Sequence, residues 1–139
     1  MKYLVDANVL SEVTRISPSP VVVDWLARHE PDLVVDPIIL GELELGILRL
    51  PGGKKRAALE KWFAATLGRV VCLPFTVATG RRWAQLVASL QRRGETMPIK
   101  DSLIAATALT HGLTVVTRNT RDFKLAGVAL VDLFPARGA

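Results

Sequence analysis

Short β-branched and aliphatic runs alternate with longer segments of helical periodicity along this chain. That alternation constrains the fold more than any other feature. Strands separated by helices pair into a mostly parallel central sheet flanked by helices, an α/β architecture. The first strand is Tyr3-Leu4-Val5, followed by a short helix over 8–15. Ser19-Pro20 is a cap and first-turn proline for a helix over 21–29, and Asp36-Pro37 repeats the signal before a helix over 38–50. Further helices are expected over 54–67, from Thr76 to Arg93 and from Pro98 to His111, stopped by Gly68, Gly94 and Gly112. Strands are expected at 32–35, 70–73, 113–117 and 128–131, with a turn or short helix over 120–125. No repeat, linker or low-complexity tract interrupts the pattern, so 1–139 is expected to be one domain.

A chain of 139 residues buries enough surface to fold without disulfide or metal staples. Its 50% hydrophobic and 22% charged residues exclude intrinsic disorder. The one cysteine, Cys72, excludes a disulfide scaffold; lying in an apolar run, it is expected to be buried and inert. Asp6 interrupts the amino terminus too early for a signal-peptide core, and no run approaches the roughly 18 apolar residues of a membrane span. The expectation is a soluble cytoplasmic protein. Eighteen Lys+Arg against 13 Asp+Glu, a net +5, suggest a polyanionic partner without naming it.

In a sheet with right-handed crossovers, helix amino termini follow the carboxyl ends of strands, and ligand crevices form at that edge. Asp6 ends the first strand, Asp101 sits in the first turn of the Pro98 helix, and Asp122 follows the strand ending at Thr117. Glu42 lies about one and a half turns into the Pro37 helix and projects toward the same edge. Each acid has an ordinary role open to it: Asp6 as a helix cap, Asp101 as a dipole partner, Glu42 as a solvated surface residue, Asp122 as a turn former. Their coincidence at one edge is harder to explain that way. Clustered carboxylates repel and raise one another's pKa, and a divalent cation relieves the repulsion. Magnesium suits such an all-oxygen pocket, and manganese suits the same donors. Zinc does not, because His29 and His111 share no ligand spacing and fall in the last turns of helices.

These acids lie within longer stretches: Leu4-Val5-Asp6-Ala7-Asn8-Val9-Leu10-Ser11-Glu12, Glu42-Leu43 followed by Gly46, Lys100-Asp101-Ser102-Leu103-Ile104-Ala105-Ala106-Thr107-Ala108, and Thr117-Arg118-Asn119-Thr120-Arg121-Asp122-Phe123. In that order and over nearly the whole chain, they resemble the PIN-domain ribonucleases, specifically the toxins of bacterial virulence-associated toxin–antitoxin pairs. The resemblance implies a three-layer α/β fold, a Mg2+- or Mn2+-dependent endoribonuclease, usually a homodimer, and inhibition by a small antitoxin that blocks the acidic pocket. It matches Asp6, Glu42 and Asp101 to the family's metal-binding acids. Glu44 is a rival to Glu42, but two residues of helix is about 200° of rotation, so the two cannot share a face. Many relatives carry an aspartate directly after Thr-Arg, where this chain has Asn119; a variant with Asn there and Asp three residues later is matched here. Asp122 is accordingly assigned as the fourth acid, with Asn119 as a polar helper. Ala7 replaces a hydroxyl residue common after the first aspartate. Asn8 and Thr117 are candidates for orienting the carboxylates.

The chemistry that fits is phosphodiester hydrolysis by a metal-activated water, with Asp101 or Asp6 accepting the proton. Positive charge is concentrated mid-chain: residues 51–100 hold ten Lys+Arg against two Asp+Glu. Arg81 and Arg92 align on one helix face about 16 Å apart, with Arg82 and Arg93 in a parallel row. With Lys54 and Lys55 they are candidates for tracking an RNA backbone, the alternative being a solvated face. Trp25, Trp62 and Trp83 are expected as core or dimer-interface anchors. Three other readings stay open: a non-catalytic RNA-binding or regulatory module, a free-standing RNA-processing nuclease without an antitoxin, and a phosphotransferase using Asp6 as nucleophile. The last lacks a second aspartate at position 8 and any Gly-rich phosphate loop.

Overall fold

A computed structural model describes residues 1–134; the last five residues of the domain expected over 1–139 lie outside the described residues. In chain order the elements are β1 (Tyr3–Val5), α1 (Ala7–Leu10), α2 (Pro20–His29), β2 (Leu33–Val35), α3 (Pro37–Leu48), α4 (Lys54–Leu67), β3 (Val71–Cys72), α5 (Val77–Arg92), α6 (Ile99–His111), β4 (Thr114–Val116), α7 (Thr120–Lys124) and β5 (Leu130–Val131). The strands form one sheet in the order β3-β2-β1-β4-β5, and every pairing is parallel.

Successive residues of a strand point to opposite faces, so the complete burial of both Leu4 and Val5 requires cover on both sides of β1. Helices supply it, which makes three layers. Val34, Val35, Val115 and Val116 continue the core into β2 and β4, and Ile39, Ile104 and Phe123 bring α3, α6 and α7 onto it. Such strands read as unbroken apolar runs because neither face meets water.

Local signals set the helix ends. Thr76 caps α5 through a reciprocal box with Thr79, and Asp36 caps α3 by accepting from the Ile39 N–H at 2.9 Å. Gly94 and Gly112 stop α5 and α6 in the left-handed region, at φ 68° and 64°. Gly68 does not: it remains right-handed at φ −79° where α4 ends.

Other expectations are revised as well. The segment over 8–15 is not one helix, because α1 tightens after Leu10 into a 3-10 turn, Ser11–Thr14. The strands beyond β1 are shorter than their apolar runs suggest, and β3 is only Val71–Cys72. Cys72 is exposed rather than buried, because β3 is an edge strand whose two residues lie at the surface. Trp25 packs edge-on to Tyr3 and stacks on His29 at 4.1 Å between ring centroids. Trp83 donates its indole N–H to the Ser102 hydroxyl at 2.9 Å, bracing α5 on α6. No helix among the described residues is long and apolar enough to cross a membrane.

The strand order turns back between β1 and β4. From β1 the chain builds outward through β2 to β3, then returns to place β4 on the other flank of β1. A crevice opens at the carboxyl edge of such a switch point. Asp6 follows β1 there, and Thr117 follows β4.

Candidate active site

Four elements deliver the acids to that crevice. Asp6 caps α1, its Oδ1 accepting from the Ala7 N–H at 2.8 Å. Its Oδ2 accepts from the Thr117 hydroxyl at 2.7 Å, a bond that spans the switch point. Thr117 is itself held, because its oxygen accepts from the Asn119 N–H at 3.0 Å. The Asn8 side-chain oxygen accepts from the Arg118 N–H at 3.2 Å, which ties α1 to the same loop. Asp101 lies in the first turn of α6 and is only 7% exposed, while Glu42 approaches from α3.

Burial and mutual repulsion show in the ionisation of these groups. Asp101 is pushed up to about 6, first by burial and then by the negative charges of Asp6, Asp122 and Glu42; Lys100 opposes the rise. Burial raises Glu42, with Asp6 and Asp36 adding to the effect. Asp6 is raised by burial, although its bonds from Thr117 and Ala7 hold it down. Asp122, in the first turn of α7, is therefore near enough for its charge to reach Asp101. Asn119 is exposed at the amino end of α7, and its own side chain makes no cap bond there.

Is this a pocket for a divalent cation? Glu42 Oε1 is buried without a hydrogen-bond partner, an orphaned acceptor beside other carboxylates. All the donors are hard oxygens. Among the described residues, however, no three acidic, histidine or cysteine side chains stand close enough to enclose an ion directly. Magnesium is commonly held through one or two carboxylates and keeps several of its waters, a requirement that such spacing meets. The residues fit Mg2+ or Mn2+.

Glu42 and Glu44 diverge as helix rotation requires. Glu42 faces Lys100, 3.6 Å from its ammonium, whereas Glu44 lines an outer groove with Leu40, Leu45 and Phe63. Beside Glu42 a cleft of about 250 Å3 opens between Asn8, Ser11 and Thr14 on one wall and Gly46, Leu59 and Trp62 on the other.

The basic residues line more than one groove. Arg82 and Arg93 line a groove with Lys124 between α5 and α7, while Lys55 lines another with Arg15 and Ser17. Arg81, Arg92 and Lys54 are exposed. Arg93 is already engaged, donating to Glu95 at 2.8 Å and to the Leu125 carbonyl at 2.9 Å.

Two site residues escape a reading of the sequence. In the sequence Lys100 is only part of the Lys-Asp-Ser stretch, and its adjacency to Asp101 is the one available signal. Asp36, read as a helix cap, is completely buried and also accepts from the Thr107 hydroxyl of α6 at 2.7 Å. Nothing local marks that second bond, whose partners are 71 residues apart.

A parallel α/β sheet with buried acids at its switch point defines a class, and the comparison with known families agrees. The chain belongs to the PIN domain family, which matches it over residues 3–128. Among individual proteins it is 33% identical to VapC ribonuclease Y4jK of Sinorhizobium fredii over 135 residues, 93% of this chain and 95% of that one. It is 36% identical to toxin FitB of Neisseria gonorrhoeae, over 93% of this chain and 96% of that one. The crystal structure of FitAcB from Neisseria gonorrhoeae superimposes with a TM-score of 0.85 at 34% identity, covering 94% of this chain and 97% of that one.

Proposed function

We propose that this protein is a metal-dependent endoribonuclease toxin whose activity is held in check by a cognate antitoxin. The observation that carries the reading is the cluster at the switch point, where burial first, and then the charges of Asp6, Asp122 and Glu42, lift Asp101 to about 6. Membership of the PIN family and similarity to a VapC ribonuclease and a gonococcal toxin supply the substrate class and the biological setting. The protein is read as soluble, cytoplasmic and a homodimer, in keeping with the resemblance.

From among Asp6, Glu42, Asp101 and Asp122, one or two carboxylates would hold Mg2+ or Mn2+ directly and the others through its waters. The bound cation supplies acidification of water and charge neutralisation at the phosphate oxygens. Asp6 has both carboxylate oxygens engaged, by Ala7 and Thr117, so it serves as a fixed ligand rather than a mobile base. Those same bonds leave it poorly suited to the nucleophilic role a phosphotransferase would require. Asp101, which among the described residues has no hydrogen bonds like those from Ala7 and Thr117 that engage both oxygens of Asp6, is the better acceptor for the proton of the attacking water. Asn119 assists Asp122, and Asn8 and Thr117 keep the loop after β4 in register with Asp6. Arg81, Arg82 and Arg92, with Lys54 and Lys55, offer exposed charge for the RNA backbone.

The test is cleavage-site mapping on total cellular RNA with purified wild type, Asp6→Asn and Asp101→Asn, each with Mg2+, with Mn2+ and with EDTA. Discrete wild-type cleavage that needs metal and vanishes in both folded variants is expected. Cleavage by both variants equal to wild type refutes the reading, and salt-sensitive RNA binding without turnover favours a non-catalytic module.

A further inference from the structure

Two of the carboxylates proposed to bind metal sit on helices that are joined at one buried point. Asp36, 0% exposed, caps α3 with Oδ1 and accepts from Thr107 of α6 with Oδ2 at 2.7 Å; Thr107 is likewise 0% exposed. Glu42 lies six residues beyond Asp36 on α3, and Asp101 lies six residues before Thr107 on α6. Six residues of helix span about 9 Å. Lys100, beside Asp101, reaches Glu42 at 3.6 Å. The helices therefore run past each other in opposite directions with two rungs between them. One rung is the Asp36–Thr107 hydrogen bond, and the other is the facing pair of Glu42 and Asp101.

We propose that the Asp36–Thr107 bond is a positioning clasp that sets the separation of Glu42 and Asp101 across the metal pocket. Asp36 and Thr107 are positioning residues, since neither is placed among the metal-binding acids. The upper rung needs such a constraint. Glu42 and Asp101 repel each other, and Glu42 Oε1 has no partner of its own to hold it in place. Without an ion, the spacing of the two carboxylates depends on the backbones of α3 and α6 and on the Lys100–Glu42 ion pair. The clasp is the fully buried tie between those helices, whereas the Lys100–Glu42 pair is partly open to solvent. It is well suited to the task because a charge-assisted hydrogen bond excluded from water is short and directional. Groups hydrogen-bonded directly to a ligand commonly change metal affinity about 10–100-fold when removed, so a clasp that acts through two helices is expected at the low end of that range.

The inference rests on the metal-site reading above, and its test separates the two. Mn2+ binding to the full-length chain is measured by the EPR signal of free Mn2+, with thermal melting recorded on the same samples. Thr107→Val removes the hydroxyl at nearly constant shape, Thr107→Ser keeps it, and Thr107→Ala serves as a second hydroxyl-free variant should valine prevent folding. Thr107→Val or Thr107→Ala is expected to weaken Mn2+ binding about 10-fold, while Thr107→Ser stays within about twofold of wild type. A hydroxyl-free variant that melts lower yet binds Mn2+ as wild type does makes Thr107 merely structural and overturns the clasp alone. A wild-type chain that binds no Mn2+, or an Asp101→Asn variant that binds it undiminished, overturns the metal-site reading and the clasp with it.

Discussion

Asp101→Asn should stabilise the metal-free protein at alkaline pH while abolishing its activity. The folded protein raises the Asp101 carboxyl from 3.8 to about 6, through burial and the charges of Asp6, Asp122 and Glu42. At 1.36 kcal/mol per pH unit, holding that group ionised costs the native state about 3 kcal/mol at pH 8. The helix dipole works the other way, since an acid in the first turn of α6 gains roughly 0.3–1 kcal/mol from it. Burial and repulsion win, so Asn should gain about 2 kcal/mol. The folded pKa lies above the unfolded one, so the penalty is absent below about pH 3.8, grows between pH 3.8 and 6, and is complete above. The advantage of Asn should shrink to about half by pH 5 and nearly disappear by pH 4. In melts with EDTA the variant should exceed wild type by roughly 5–10 °C at pH 8. A variant less stable than wild type at pH 8 would show that Asp101 is an ordinary partner of the helix dipole. A difference independent of pH would refute the assignment of the effect to ionisation.

Two further outcomes are expected. Mn2+ should raise the melting temperature of wild type at pH 8 and reverse its order with Asp101→Asn, because an ion bound to the native state stabilises it by mass action; Asp6→Asn should lose most of that shift. Asp122→Asn should reduce RNA cleavage at least 10-fold and lower the pH midpoint of the Asp101 stability effect, whereas Asn119→Ala should do neither. Equal effects of the two substitutions, measured as initial cleavage rates, would reassign the fourth position.

The alternation of elements was legible because its determinants are local. A cap such as Thr76, a stop such as Gly112 and a run such as Leu4-Val5 act within a few residues of themselves. Right-handed crossover then carries Asp6, Asp101 and Asp122 to one edge without coordinates. Helix rotation alone separates Glu42 from Glu44, and the structure indeed places them toward Lys100 and toward an outer groove. The fate of Cys72 was not legible. An apolar strand is buried at the centre of a sheet and exposed at its rim, and only the strand order placed β3 at the rim.

What the sequence determined by itself is the kind of fold and the edge where chemistry belongs, since both follow from periodicity and spacing along the chain; the choice of Glu42 and Asp122 as site acids came from the resemblance. What tertiary structure decided is how the acids are held and how they ionise. The Thr117–Asp6 and Thr107–Asp36 bonds join residues 111 and 71 positions apart, and no local pattern announces either. The rise of Asp101 depends on burial and on charges from three other elements, a sum over space rather than over sequence. Tertiary structure also decides which bases share a groove: Arg82 and Arg93 line one with Lys124, and Lys55 lines another with Arg15.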